Sequence, residues 1–352
     1  MESELVKIIY EKYGINIVNN QILTGGWLNK KYSAIDEENR MYVIKLYSIK
    51  KVEKMSKGEF SSDYLDNQLA YSLKTENYMH GEGLNCERVF KTNDNSFLFE
   101  YNDYRVAIIS FLTGEHVERE DITNDQLYNL GNECSKMHML FRNVDQSIYS
   151  GQYLKIPTLD TLFERFNEKS VLQCEKPNAQ YVDLLKKQKA DLLQIKSHNI
   201  IKKIPISLIH GDFADDNILF EGNEPKILDF ELVRVNSPLL DIGRILMSYC
   251  FEDSKLNFEK INAFVSGYRE VNDINDKDIF LAFITVWINE VDMWIKEKYF
   301  DKEITEKAYR FQRELIYLTE NLPVLIDDYS NGKKLNEIKS KKYSIRRSNI
   351  WE

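Results

Sequence analysis

The sequence has little proline and glycine, and it has no long hydrophobic run. It contains 6 prolines and 14 glycines in 352 residues, and 43% of its residues are hydrophobic. This composition excludes a disordered or low-complexity chain, because it supplies enough apolar side chains for a sizeable core. No apolar run approaches the ~20 residues that a membrane-spanning helix needs. The longest candidate, 279–294, is interrupted by Asn289, Glu290 and Asp292. We therefore expect a soluble protein that has no membrane partner.

Cysteine is also scarce. The four cysteines are widely separated and form no CxxC pair: Cys86, Cys134, Cys174 and Cys250. Isolated cysteines are typical of reduced thiols in the cytoplasm. The acidic N-terminus lacks the basic and apolar regions of a signal peptide. We therefore expect a cytoplasmic protein.

Positive charge is in deficit over most of the chain. Lysine and arginine number 47 against 56 aspartates and glutamates, which gives a net charge of −9. This balance argues against nucleic acid as the main partner, because a surface that follows phosphates needs excess basic residues. The last segment, 331–352, is the exception, with seven basic and two acidic residues. We interpret it as a solvated or loosely docked tail.

The pattern of residues changes near Gly114. Before it, short strands are predicted around one helix at 61–79, in which Leu65, Leu69 and Leu73 recur at helical spacing. The strands are predicted at 21–24, 31–35, 41–46, 96–101 and 105–112. After it, helices dominate, with a hairpin signature at 217–230. We therefore predict an N-lobe at 1–113, a C-lobe at 114–330 and a tail at 331–352.

The strongest motif is the string HGDFADDN at 210–217, followed by LDF at 228–230. Mg²⁺ prefers oxygen ligands and often keeps one or two carboxylates, with phosphate oxygens at other positions. Asn217 and Asp229 supply an amide and a carboxylate for such a site. Asp212, five residues before Asn217, can accept a hydroxyl proton. This order of base, amide ligand and carboxylate ligand is that of kinase-type phosphoryl transfer.

Together with Asp241 in PLLDIG, these motifs resemble the aminoglycoside phosphotransferase and choline kinase family over roughly 20–320. The resemblance implies an α+β, bilobal protein-kinase-like fold, with a small β-rich N-lobe and a larger, mainly helical C-lobe. It also implies that Asp212 is the catalytic base and that Asn217 and Asp229 bind Mg²⁺. Asp241 would brace the catalytic loop, and His210 would organise it.

Two further segments resemble the backbone contacts that this family makes with a nucleotide. Gly25 and Gly26 match its short glycine loop, GGxxN, in which the backbone approaches the phosphates closely. Near Gly114, the segment 108–114 resembles the hinge that binds adenine. Ser110 and Leu112 fall at its two hydrogen-bonding positions.

Lys45 lies in the apolar strand YVIKL and resembles the strand-three lysine of kinases, which binds the α- and β-phosphates. In kinases this lysine pairs with a helix glutamate. Glu76 is the candidate in the predicted helix, although it lies near the helix end, and Asp66 and Gln68 are alternatives.

These features predict a kinase that transfers the γ-phosphoryl group of ATP or GTP to a hydroxyl of a small molecule. The residues before the basic tail carry a net negative charge, which suggests a cationic acceptor such as an aminoglycoside or another amine-bearing antibiotic. Choline, homoserine and sugars are alternatives within the same family.

Two other readings of the motifs are weaker. A protein kinase is disfavoured because HGD replaces HRD, DFE replaces DFG and no APE segment follows. The alternative from another functional class is a catalytically silent scaffold protein that binds a nucleotide on the same fold. The intact set of Lys45, Asp212, Asn217 and Asp229 argues against it.

Overall fold

The computed structural model describes residues 1–23, 29–48, 50, 62–149, 156–171, 178–301 and 304–338. The chain forms two compact units. The first comprises the described residues of Met1–Glu115 together with Pro225–Val233, and the second those of His116–Glu224 and Arg234–Glu352. The segment Pro225–Val233 lies beyond Gly114, in the predicted C-lobe, yet it belongs to the first unit. Within the described ranges, no helix is both long and apolar enough to cross a membrane.

The first unit contains a five-stranded antiparallel sheet in the order β1-β2-β3-β5-β4. Among the described residues of this unit, two longer helices accompany the sheet, and the sequence does not predict the first of them. The elements are α1 (Ser3–Tyr13), β1 (Ile17–Leu23), β2 (Lys30–Asp36), β3 (Met41–Ser48), α2 (Ser62–Gly81), β4 (Phe99–Tyr101) and β5 (Tyr104–Ser110).

Alternating side chains of this sheet form two hydrophobic clusters. Ile44 and Ile108 belong to the cluster that includes Leu5 and Ile9 of α1. Neighbouring residues of the same strands, among them Val43, Ala107 and Ile109, belong to a second cluster with Leu69 and Leu73 of α2. Because successive residues of a strand point to opposite faces, Lys45 shares the α2 face with Val43.

Several hydrogen bonds join the segment Pro225–Val233 to the rest of the first unit. The Ile227 N–H donates to the Asn85 carbonyl at 2.8 Å, and the Asn85 side-chain amide donates to the Pro225 carbonyl at 2.8 Å. The Lys226 ammonium donates to the Thr113 carbonyl at 2.9 Å. These bonds place Asp229 among the residues of the first unit.

The second unit is mainly helical. Its described elements are α3 (Asn124–Phe141), α4 (Leu159–Val171), α5 (Ala179–Ser197), β6 (Ser207–Ile209), β7 (Ile218–Glu221), β8 (Glu224–Ile227, of which only Glu224 is in this unit), β9 (Arg234–Asn236), α6 (Pro238–Cys250), β10 (Phe251–Glu252), β11 (Lys255–Leu256), α7 (Phe258–Tyr268), α8 (Asp276–Trp294), α9 (Lys298–Asp301) and α10 (Glu306–Ser330). Helices α3 and α7 approach so closely that a Cβ on Gly131 would lie 2.0 Å from the Phe264 carbonyl oxygen. The HGD loop follows β6 directly.

The start of the predicted basic tail packs against the second unit. Leu335 is buried, and its N–H donates to the Asp276 carboxylate at 3.0 Å. Lys333 forms an ion pair with Asp328 at 3.4 Å. The remainder of the predicted tail, 339–352, lies outside the described residues.

Candidate active site

The HGD loop presents the Asp212 side chain at the surface of the second unit. Gly211 has a φ of 85°, a left-handed conformation that glycine adopts without a steric penalty. Asn217 is buried, and its amide donates to the Asp212 carboxylate at 3.1 Å and to the Asp212 carbonyl at 2.8 Å. Asn217 therefore positions Asp212, the predicted base. The side-chain oxygen of Asn217 takes no part in these two bonds.

Asp241 fixes the start of this loop from α6. Its side chain is 1% exposed, and it accepts the N–H of His210 at 2.8 Å and the N–H of Gly211 at 3.1 Å. His210 is fully buried, and its Nδ1 accepts the Asp212 N–H at 3.3 Å. Burial opposes ionisation, but hydrogen bonding to His138 and the backbone lowers the pKa of Asp241 below its ordinary value. The Asp241 carboxylate therefore joins α6 to the first two residues of the loop.

His138 is a further residue that contacts Asp241, and the sequence did not identify it. On α3, its Nε2 lies 3.2 Å from the Asp241 carboxylate and its Nδ1 lies 3.0 Å from the Tyr268 hydroxyl. A contact that spans 103 positions in the chain leaves no local signature.

The two other acids of the loop are engaged with α10. Asp215 forms two hydrogen bonds with Arg310, at 2.5 and 2.7 Å, and Asp216 pairs with Lys307. Both acids are therefore paired with basic side chains of α10, whereas Asp212 is hydrogen-bonded to Asn217.

We expect the substitution Asp241→Asn to destabilise the second unit by about 1.5–3 kcal/mol, the usual contribution of a hydrogen bond to a charged group. Because the pKa of Asp241 is lower in the folded state, its contribution is complete above the unfolded value, near 3.8, and is lost as the pH falls through the folded value. Urea unfolding at pH 7 should therefore separate the variant from the wild type, and the difference should shrink below about pH 4. A difference that stayed constant with pH would contradict this account.

The first unit contains a buried charge cluster around Lys45. The Lys45 ammonium lies 3.2 Å from the Glu87 carboxylate and 3.3 Å from the Asp229 carboxylate. Burial alone would lower the pKa of Lys45, but the carboxylates of Asp229 and Glu87 raise it well above its usual value. The lysine is therefore held charged.

The sequence predicts that Lys45 pairs with Glu76. In the structure, the glutamate that pairs with Lys45 is Glu87. Glu76 is buried on α2, but its Oε1 has no hydrogen-bond partner among the described residues. Burial and the Glu87 carboxylate raise the pKa of Glu76 well above its usual value, which favours the neutral acid. The alternative Asp66 pairs instead with Arg105 at 2.6 Å.

Asp229 sits at the centre of the same cluster. Its φ is 66°, a left-handed conformation that aspartate tolerates better than most residues. Its N–H donates to Glu87 at 3.0 Å, and its second carboxylate oxygen accepts the Lys31 ammonium at 2.7 Å. Burial opposes its ionisation, but Lys45 and Lys31 lower the pKa of Asp229 below its ordinary value.

The predicted nucleotide contacts through the backbone are only partly described. Ser110 ends β5, and its N–H donates to the Arg88 carbonyl at 2.8 Å. Leu112 follows the strand and is half-buried. Gly25 and Gly26 lie outside the described residues.

The predicted metal ligands fit Mg²⁺ by their chemistry. Asn217 has an amide oxygen, and Asp229 has a carboxylate kept ionised by its lysines. Both are hard oxygen donors of the kind that Mg²⁺ binds, with phosphate oxygens and water at the other positions. The described part of the chain contains no cluster of three or more His, Cys, Asp or Glu that could hold a metal by itself.

Comparison with known proteins decides the family. The phosphotransferase enzyme family, APH, matches residues 20–271. The chain belongs to this family.

Two solved structures are similar to this chain in fold, and one curated relative is similar to it in sequence. Spectinomycin phosphotransferase, in complex with ADP and spectinomycin, is 15% identical and has a TM-score of 0.60, over 94% of this chain and 98% of that chain. A microcompartment-associated aminopropanol kinase is 14% identical with a TM-score of 0.63, over 95% of this chain and 100% of that chain. The homoserine kinase of Rhizobium rhizogenes is 24% identical over 217 residues, which are 60% of this chain and 63% of that enzyme.

These findings confirm two predictions from the sequence: the family and the α+β kinase-like fold.

Proposed function

We propose that this phosphotransferase is an ATP-dependent kinase whose acceptor is a small amine-bearing alcohol. The observation that carries the proposal is the geometry of the HGD loop. An exposed carboxylate, Asp212, is hydrogen-bonded to Asn217 at 3.1 Å, in a loop whose backbone is bonded to the buried Asp241. A positioned carboxylate at the surface suits a general base that must reach a hydroxyl of an incoming substrate.

In this proposal the acceptor oxygen forms a bond to the γ-phosphorus while the bond to the β-phosphate oxygen breaks. The hydroxyl proton passes to Asp212, and the nucleoside diphosphate leaves. Lys45 neutralises charge on the α- and β-phosphates, and Ser110 and Leu112 contact the adenine through their backbones. Asn217 and Asp229 would hold Mg²⁺, which when bound neutralises phosphate charge. Phosphoryl transfer needs chiefly this alignment and charge neutralisation.

The acceptor class follows from chemistry that the named relatives have in common. Two of the relatives are named as kinases of homoserine and of aminopropanol. Each of these compounds carries a hydroxyl and an amine. The net charge of −9 also favours the approach of a cationic amine. ADP in the spectinomycin phosphotransferase complex supports an adenine nucleotide as donor.

The decisive measurement is a coupled kinase assay with ATP and Mg²⁺ against a panel of acceptors. We expect turnover with at least one compound among aminoglycosides, ethanolamine, choline, aminopropanol and homoserine, and none with sugars that lack an amine. Turnover confined to amine-free sugars would overturn the acceptor class while leaving the kinase assignment in place. Replacing ATP with GTP in the same assay tests the donor.

A silent scaffold on the same fold is tested separately. Binding of Mg-ATP is measured beside slow ATP hydrolysis without acceptor. We expect both, because the buried Lys45 and the half-buried Asp229 are paired and held ionised. Binding without hydrolysis, and without transfer to any acceptor, would favour the scaffold.

A further inference from the structure

A second lysine, Lys31, shares Asp229 with Lys45. The Lys31 ammonium lies 2.7 Å from one oxygen of Asp229, and the Lys45 ammonium lies 3.3 Å from the other. The Lys31 side chain is 22% exposed, whereas that of Lys45 is 3% exposed. Lys31 is therefore the more exposed of the two lysines in this cluster.

The two lysines are directly opposite each other on neighbouring strands. The register of β2 and β3 pairs Lys31 with Lys45, so both side chains lie on the α2 face of the sheet. Like charges directly opposite each other destabilise a sheet unless an anion neutralises them. Asp229 supplies that anion in the structure.

The two lysines differ in their other ion-pair partners. Lys45 is also paired with Glu87 at 3.2 Å. For Lys31, Asp229 is the one ion-pair partner within the described ranges. If Asp229 binds a metal, as in the proposed function, Lys45 keeps Glu87, whereas Lys31 needs a new anion.

We propose that Lys31 is a second phosphate-binding lysine, which acts on the terminal phosphates of the nucleotide beside Lys45. The proposal rests on the proposed function of the chain as an ATP-dependent kinase. Lys31 follows Gly26 by five positions, so it comes directly after the segment predicted to cover the phosphates. A lysine ammonium is a compact point charge suited to binding phosphate.

The test compares the affinities of the full chain for ATP and AMP in the presence of Mg²⁺, measured by calorimetry. We expect Lys31→Met to weaken ATP binding by about tenfold or more, since a hydrogen bond to a charged group contributes that much. AMP, which lacks the terminal phosphates, should bind with an unchanged affinity. Lys31→Arg should keep most of the ATP affinity, because a guanidinium also binds phosphate.

Lys30→Met is the matched control. Lys30 is the preceding residue of β2, and its ammonium lies over the ring of Tyr104 at 5.0 Å from the centroid. Adjacent strand residues point to opposite faces, so Lys30→Met should leave ATP and AMP affinities unchanged. Thermal unfolding of each variant verifies that it folds.

Two results would overturn the assignment of Lys31. Equal ATP affinities of the Lys31→Met and Lys30→Met variants would show that Lys31 is only a counter-ion of Asp229. An equal loss of ATP and AMP affinity would mark a general structural effect. A wild-type protein that bound no ATP would instead overturn the proposed function, and this proposal with it.

Discussion

The substitution Asp212→Asn should lower kcat by about 10²–10⁴-fold, the usual contribution of a general base. The asparagine keeps the shape of the side chain but cannot accept the proton of the acceptor hydroxyl. ATP affinity should remain that of the wild type, because the charged residues assigned to the phosphates, Lys45 and Lys31, lie in the first unit. Steady-state kinetics and calorimetry measure the two quantities independently.

Asp216→Asn is the control for this experiment. Asp216 is an exposed acid of the same loop, and it pairs with Lys307 on α10. Losing an exposed ion pair changes stability by no more than about 1 kcal/mol, so we expect nearly unchanged turnover. Normal turnover of Asp212→Asn, or an equal loss in both variants, would remove Asp212 from the role of base.

The substitution Glu87→Gln should lower the free energy of unfolding by about 2–3 kcal/mol, because it removes the charged partner of a buried lysine. The Glu87 carboxylate accepts hydrogen bonds from the Lys45 ammonium at 3.2 Å and from the Asp229 N–H at 3.0 Å. The remaining carboxylate of Asp229 keeps the loss below the full cost of an unpaired buried charge. Urea unfolding at neutral pH measures the change.

Glu76→Gln provides the comparison for that substitution. Burial and the Glu87 carboxylate raise the pKa of Glu76, so the substitution replaces a neutral acid with a neutral amide. We expect its unfolding free energy to change by less than about 1 kcal/mol. The opposite order, with Glu76→Gln losing more stability than Glu87→Gln, would assign the lysine partner to Glu76, as the sequence predicts.

Much of the fold was predictable from the sequence because each element has a local pattern. The helix predicted at 61–79 is Ser62–Gly81, and the strand predicted at 41–46 is Met41–Ser48. The helix Ser3–Tyr13 was missed, although two of its apolar residues, Leu5 and Ile9, are buried in the first unit. An isolated helix of this length is marginal, and packing on the sheet stabilises it.

The unit boundary was less predictable. The sequence changes from strands to helices near Gly114, and the long segment of the first unit ends at Glu115. The return of Pro225–Val233 to that unit has no compositional signal. It depends on backbone hydrogen bonds such as that from Ile227 to Asn85, between residues far apart in the chain.

The sequence by itself predicted a phosphotransferase and the four side chains that we propose for the reaction: Lys45, Asp212, Asn217 and Asp229. Their order and spacing carry this prediction, because the proposed base and one proposed metal ligand lie in one loop. Only the tertiary structure decided which charges surround them. Glu87 lies 42 positions from Lys45, and Lys31 lies 198 positions from Asp229. No local spacing specifies such pairs, because packing of the sheet and of the returning segment brings their charges together.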